Sequence, residues 1–207
     1  MKILIATRNP GKLHEYEDLL ADALPGGADV EWVTLTDLGI DTDVEETGET
    51  FAANALLKAE AYAAESGLLT LADDSGLEVD ALGGAPGVRT ARYAGPRASD
   101  ADRYNKLLGA LADVPEPERG ARFRCAVAVC TPEGRSYSAD GTCEGRISFA
   151  PRGSNGFGYD PVFLLEGRDE TMAELDPEVK NRISHRAHAL EAIKPVLTRL
   201  LTGEDTR

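Results

Sequence analysis

Residues 68–76 read LLTLADDSG: an apolar run from Leu68 to Ala72, two adjacent carboxylates at Asp73 and Asp74, then Ser75 and Gly76. A run of that length, stopped by turn-forming residues, predicts a buried strand that delivers carboxylates at its carboxyl end. In open α/β sheets that edge takes the ligand. The same pattern recurs upstream. Lys2 to Ala6 is a short apolar run stopped by TRNPGK, residues 7–12. There Asn9 can cap a helix, Pro10 suits its first position, and Leu13, Tyr16, Leu20 and Leu24 follow at helical spacing. A second unit repeats this with a strand near Val30–Leu35, an acidic loop DTDVEETGE at 41–49, and a helix from about Thr50 to Ser66. The apolar stripe of that helix is Phe51, Ala55, Ala59 and Tyr62.

Downstream, ALGGAPGVRTARYAGPR at 81–97 is too irregular for an element, and Ser99 opens a helix with Tyr104, Leu107, Leu108 and Leu111 inward. Phe123, Cys125, Val127 and Val129 alternate with Arg122, Arg124 and small residues, and TPEG at 131–134 predicts the turn of a hairpin. The sheet is therefore expected to be mixed. Asp176 and Pro177 start a short helix. Ser184 caps a last one carrying Leu190, Ile193, Leu197 and Leu200 on one face, with Pro195 inside it as a kink or a lost hydrogen bond. Residues 203–207 read as frayed.

The chain has 207 residues, 42% hydrophobic and 28% charged, with 36 Asp plus Glu against 22 Lys plus Arg for a net charge of -14. That is one domain's worth of ordinary globular sequence. The acidic balance argues against nucleic-acid polymers and anionic membrane surfaces. It leaves small anionic ligands open, because charge beyond about 8 Å is screened at physiological salt and local cations decide. No apolar run reaches the roughly 20 residues of a membrane helix, and the opening MKILIATRNPG is too short for a signal peptide, so a cytoplasmic location is expected. Cys125, Cys130 and Cys143 read as buried free thiols.

Four polar clusters fall where a strand is expected to stop or a helix to start: 7–12, 45–58, 73–76, and 156–160 with 180–186. In the first, Gly11, a helix N-terminus and the cations Arg8 and Lys12 suit a phosphate chain or, equally, an ordinary capped helix. Neither GxxxxGK[ST] nor GxGxxG is present. Asp73, Asp74, Glu45 and Glu46 offer hard oxygens of the kind magnesium takes, one or two carboxylates with substrate phosphates. Neighbours on a strand point opposite ways, so one of each pair can face the metal. Asn54 and Lys58 lie four apart on one helix and project together. GFGYD at 156–160 can stack on a base or fill a core edge. His185 and Arg186 open the last helix, where backbone N–H groups and a cation favour an anion or an electron-rich base edge.

TRNPGK, EETGETFAANALLKA, ADDSGLEVDALGGAPGVRTARYAG, GFGYDPVF and KNRISHRAHAL, in that order and spread over nearly the whole chain, resemble the Ham1-like inosine triphosphate pyrophosphatase family. The resemblance implies an α/β fold with a long mixed twisted sheet flanked by helices. It implies one domain over 1–207, folded as two lobes around a central cleft. It further implies a homodimer that hydrolyses dITP/ITP and XTP/dXTP to the monophosphate and pyrophosphate with Mg2+. Residue by residue, Thr7, Arg8, Asn9, Pro10, Gly11 and Lys12 would hold the triphosphate, and Lys58 its phosphates. Glu45 and Asp74 would bind the metal, with Asp74 also the general base. Ser75, Phe157, Gly158, Tyr159, Asp160, Lys180, His185 and Arg186 would contact the nucleotide and its base. Arg8 stands where some members carry a small residue. Two competing readings are a nucleotide-binding regulator without turnover and a pyrophosphatase of pyrimidine or methylated nucleotides.

Overall fold

The computed structural model describes residues 1–21 and 30–203, and among these it has six strands and five α-helices, with short 3-10 turns between them. Leu24 and residues 204–207, on which two of the expectations above fall, lie outside the described residues. β1 (Lys2–Ile5) runs into α1 (Pro10–Ala21). Asn9 makes that junction as expected: its Oδ1 accepts from the backbone N–H of Gly11 (2.9 Å) and Lys12 (3.3 Å), and Pro10 takes the first helical position, where no N–H is needed. β2 (Glu31–Thr34) is followed by the acidic loop and by α2 (Phe51–Ser66). Thr50 caps α2 through Ala53 N–H, and Gly67 closes it in the left-handed conformation at φ 67°. The expected stripe, Phe51, Ala55, Ala59 and Tyr62, is buried.

β3 spans Leu69–Val79, and here the structure corrects the sequence reading. The strand does not stop at Asp73; it runs on through Asp74, Ser75 and Gly76, so the carboxylates sit in mid-strand. α3 (Asp100–Ala110) opens on a capping box between Ser99 and Asp102, with Leu107 and Leu111 fully buried. β4 (Gly120–Cys130) and β5 (Ser136–Ile147) are joined through a turn at Thr131–Arg135, the predicted hairpin. After β6 (Phe163–Leu165) come α4 (Pro177–Ile183) and α5 (His185–Thr202). Pro195 lies inside α5 and the helix continues past it.

The sheet order is β2-β1-β3-β4-β5-β6. β1 pairs parallel with β2 and β3, and β5 antiparallel with β6, so the sheet is mixed as expected. The chain resolves into two compact units. One comprises Met1–Asp74, Cys125–Gly141 and the chain from Arg186 onward; the other comprises Ser75–Arg124 and Thr142–His185. Each has its own core. The first is built on Ile3, Ile5, Tyr16, Leu71, Val127, Val129, Ile193 and Leu197. The second is built on Leu77, Val79, Leu107, Phe123, Tyr159, Phe163 and Met172. All three cysteines are free and buried, as expected.

Candidate active site

In the first unit, α1 and α2 bring their polar residues to the middle of β3. The pleat sends Asp73 and Asp74 to opposite faces, and both are buried, at 1% and 7% exposure. Asp73 Oδ2 accepts from Lys12 Nζ at 2.9 Å, from Arg186 Nη2 at 3.2 Å and weakly from Cys125 Sγ at 3.7 Å. Arg186 Nη1 donates to Glu15 Oε2 as well. Asp74 takes a different partner: its Oδ2 accepts from Asn54 Nδ2 at 2.9 Å, while Asn54 Oδ1 accepts from Gly48 N–H at 2.7 Å and ties α2 to the acidic loop. Lys58, one turn along α2, donates to Glu46 Oε1 at 2.6 Å.

The two adjacent carboxylates end in opposite electrostatic states. Burial alone would push the Asp73 carboxyl up, but the charges of Lys12, Arg186 and Lys58 outweigh it and hold the group far below the usual carboxylate range. For Asp74, burial wins: with Glu46 adding repulsion, it raises the carboxyl above its ordinary value against the pull of Lys58, Lys12 and Asn54. Burial would lower the Lys58 ammonium, yet Asp73, Asp74 and Glu46 raise it, so Lys58 keeps its charge. Asp74 is thus a carboxylate disposed to accept a proton, set among cations. Glu45 is exposed on the loop, and Glu46 is half-buried and close enough to act on Asp74. Among the described residues no group of three or more His, Cys, Asp or Glu could hold a metal by itself. The carboxylates of Asp74 and Glu46, close enough to repel, offer hard oxygens of the kind a divalent cation takes together with phosphates.

Thr7 and Asn9 shape the loop between β1 and α1, with Thr7 Oγ1 accepting from Asn9 N–H at 3.2 Å. Arg8 turns elsewhere. Its Nη2 donates to the carbonyls of Ile40 (2.7 Å) and Thr42 (2.9 Å), which fastens the TRNPGK loop to the segment leading into the acidic loop.

The second unit holds a separate constellation. Asp160 Oδ2 accepts from Lys180 Nζ at 2.6 Å and from Phe157 N–H at 2.9 Å, a buried ion pair with side chains 5% and 7% exposed. Lys180 lies 4.9 Å above the half-buried Phe157 ring. Gly158 N–H donates to Asp100 Oδ2 at 2.7 Å, at the start of α3. Tyr159 is a core residue, its hydroxyl donating to Thr90 O at 3.0 Å. His185 stacks on Phe123 with ring centroids 4.9 Å apart and 14° between planes. Ser75 is half-buried in β3.

Of the residues singled out from sequence, Lys12 and Arg186 therefore meet on Asp73, the 54–58 turn of α2 meets Asp74 and Glu46, and Phe157, Asp160 and Lys180 meet one another. Arg186 was expected to present its guanidinium to a ligand; it is 1% exposed and held by two carboxylates. Glu15 and Asp100 escaped the sequence reading. Glu15 sits beside the apolar stripe of α1, where a glutamate looks solvated, and Asp100 looks like ordinary first-turn acid.

Comparison with known proteins agrees with this geometry. The profile of the Ham1 family matches residues 3–196. A dITP/XTP pyrophosphatase from Bacillus licheniformis is 49% identical over 196 residues, 95% of this chain and 97% of the relative. The solved structure of a HAM1 protein from Coxiella burnetii superposes with a TM-score of 0.84 at 44% identity, covering 96% of this chain and 98% of the other. A nucleoside-triphosphatase / dITP/XTP pyrophosphatase from Mycobacterium abscessus gives 0.76 at 47% identity, with 95% and 100% covered. On sequence and fold alike, this chain belongs to the Ham1 family.

Proposed function

We propose that the chain hydrolyses non-canonical purine nucleoside triphosphates, dITP/ITP and XTP/dXTP, to the monophosphate and pyrophosphate. The observation that carries this reading is the buried carboxylate Asp74 in mid-strand, held by Asn54 Nδ2 at 2.9 Å, with the charged Lys58–Glu46 pair acting on it and Lys12 fixed on its neighbour Asp73. Phosphoryl chemistry asks for fixed positive charge and a proton acceptor close by; Lys12 and Lys58 supply the first and Asp74 the second. Lys12 and Lys58 meet the phosphates. Water adds to phosphorus, Asp74 accepts its proton, and the α–β anhydride bond breaks with its electron pair leaving on oxygen. Mg2+ held by Asp74 and Glu45 would supply charge neutralisation at the phosphates.

Selectivity follows from buried donors. Donors that meet a six-position oxygen reject an amino group, because they would lose their acceptor; the family resemblance supports Phe157, Lys180 and His185 as contacts to the base. The net charge of -14 supports small-molecule substrates over nucleic-acid polymers. No helix among the described residues is long and apolar enough to cross a membrane. The family resemblance supports a homodimer. The test is a panel of dITP, ITP, XTP, ATP, GTP, dUTP and dTTP with and without Mg2+, scored for pyrophosphate against single-phosphate release. Pyrophosphate from dITP, ITP and XTP in large preference to ATP and GTP is expected; equal rates on ATP, or single-phosphate release, overturn the reading.

A further inference from the structure

Asp73 has no part in the chemistry just described, yet it is the most buried and most heavily ion-paired carboxylate of the first unit. Its Oδ2 takes Lys12 Nζ, Arg186 Nη2 and the Cys125 thiol, while its Oδ1 has no hydrogen-bond donor among the described residues. A carboxylate kept for stability alone spreads its donors over both oxygens, because a buried unpaired oxygen costs free energy. Here two cations from elements far apart in sequence, the first turn of α1 and the first turn of α5, converge on one oxygen. Lys12 is a flexible four-carbon stem whose side chain is 12% exposed, so one fixed counter-charge decides where its ammonium points.

We propose that Asp73 is a positioning residue: a single buried carboxylate oxygen clamps Lys12 and Arg186, and thereby fixes the ammonium that receives substrate phosphate. The inference deepens the pyrophosphatase reading and rests on its assignment of Lys12 to phosphate. It also assigns Asp73 and Asp74 separate tasks. Lys12 already acts electrostatically on Asp74. With Asp73 made neutral, Lys12 is released toward Asp74 or solvent, and phosphate grip is lost without loss of any phosphate ligand.

The experiment is calorimetric titration of inorganic tripolyphosphate in Mg2+ buffer into the full chain and into Asp73→Asn, Lys12→Met and the double variant, with circular dichroism of each. Tripolyphosphate carries no base, so the titration reads phosphate grip alone. Asp73→Asn is expected to weaken binding about ten- to hundredfold, the worth of one charge-assisted hydrogen bond. The double variant is expected to bind no more weakly than Lys12→Met, because both substitutions remove one interaction. A purely structural Asp73 predicts additive losses instead. Should Asp73→Asn fail to fold, Asp73→Ser gives the same readout, since it too removes the charge that holds Lys12. Wild-type affinity in a folded Asp73 variant, or additivity with Lys12→Met, overturns the proposal. A wild-type protein that binds no tripolyphosphate and releases no pyrophosphate from dITP refutes the functional reading itself.

Discussion

Asp74→Asn should cut turnover by orders of magnitude and stabilise the protein in the absence of divalent cations. The folded state holds Asp74 at 7% exposure beside Glu46, and burial and that repulsion together raise its carboxyl despite Lys58, Lys12 and Asn54. A raised folded pKa means that the native state binds the proton more tightly than the unfolded chain, whose Asp titrates near about 3.9. Wild-type stability therefore declines as pH rises from that range through the folded pKa, and is flat above it. Asparagine has the same shape, can still accept from Asn54 Nδ2, and has no charge to desolvate. The gap in favour of the variant is thus absent in acid, opens as pH rises past the unfolded carboxyl's range and is complete above the folded pKa. Each unit of upward shift is worth about 1.4 kcal/mol, and each kcal/mol about 2–4 °C in melting temperature for a chain of this size. Scanning calorimetry from pH 4 to 8 in chelator reads this directly. Adding Mg2+ should then raise the wild-type melting temperature more than the variant's, since the variant keeps only Glu45 of the two proposed metal ligands. Pyrophosphate release from dITP should fall about 10²–10⁴-fold, the usual contribution of a general base. A variant less stable than wild type at neutral pH, or a gap that does not change with pH, refutes the electrostatic account of Asp74; retained turnover refutes its role.

Other perturbations read other parts of the molecule. Lys58→Met leaves Asp74 and Glu46 without their nearest opposing charge, so the acid limb of the kcat profile for dITP should move to higher pH; an unmoved limb would show that Lys58 does not act on the base. Gly156→Ala puts a methyl into Asp160 Oδ2 and 2.9 Å from Lys180 Nζ at a backbone φ of 74°. KM for dITP should rise more than about tenfold with the melting temperature lowered, and an unchanged KM would separate the Asp160–Lys180 pair from the nucleotide. Arg119, 1% exposed, donates to the carbonyls of Leu111, Val114, Ile147 and Ser148. Arg119→Met should cost about 3–5 kcal/mol in urea unfolding, because it strips several buried carbonyls of their donors; a loss below about 1 kcal/mol would contradict that.

What could be read in advance was local chemistry. Asn9 before Pro10, Thr50 before an apolar stripe and Ser99 before Asp102 each set a helix start with atoms a few residues apart, and all three caps formed. Asp73-Asp74-Ser75-Gly76 misled because those residues favour turns when nothing else intervenes. In the fold Lys12, Arg186 and Asn54 arrive from three helices and make it tolerable for two carboxylates to lie inside a strand. No window of the sequence holds that information, since Arg186 is 113 residues from Asp73. The same limit applies to Arg186, whose position at a helix start was legible, while the direction of its side chain was decided by Glu15 and Asp73.

The pairing of cations reconciles so acidic a chain with the proposed triphosphate site. Lys12 sits on Asp73, Lys58 on Glu46, Lys180 on Asp160, and Arg186 on both Glu15 and Asp73. An isolated buried cation would cost several kcal/mol and would lose its proton or swing into solvent. A cation already held by a carboxylate stays charged and stays in place while substrate is absent. When a phosphate arrives it meets fixed N–H donors that need little reorganisation, which is the condition under which electrostatic stabilisation of a transition state is largest. The acidic excess therefore includes the counter-ions that keep the basic groups poised, and removing a carboxylate such as Asp73 should weaken phosphate binding even though it makes the protein less negative. A simple count of charge predicts the opposite sign, so the tripolyphosphate titration also decides between net charge and local pairing as the determinant of affinity.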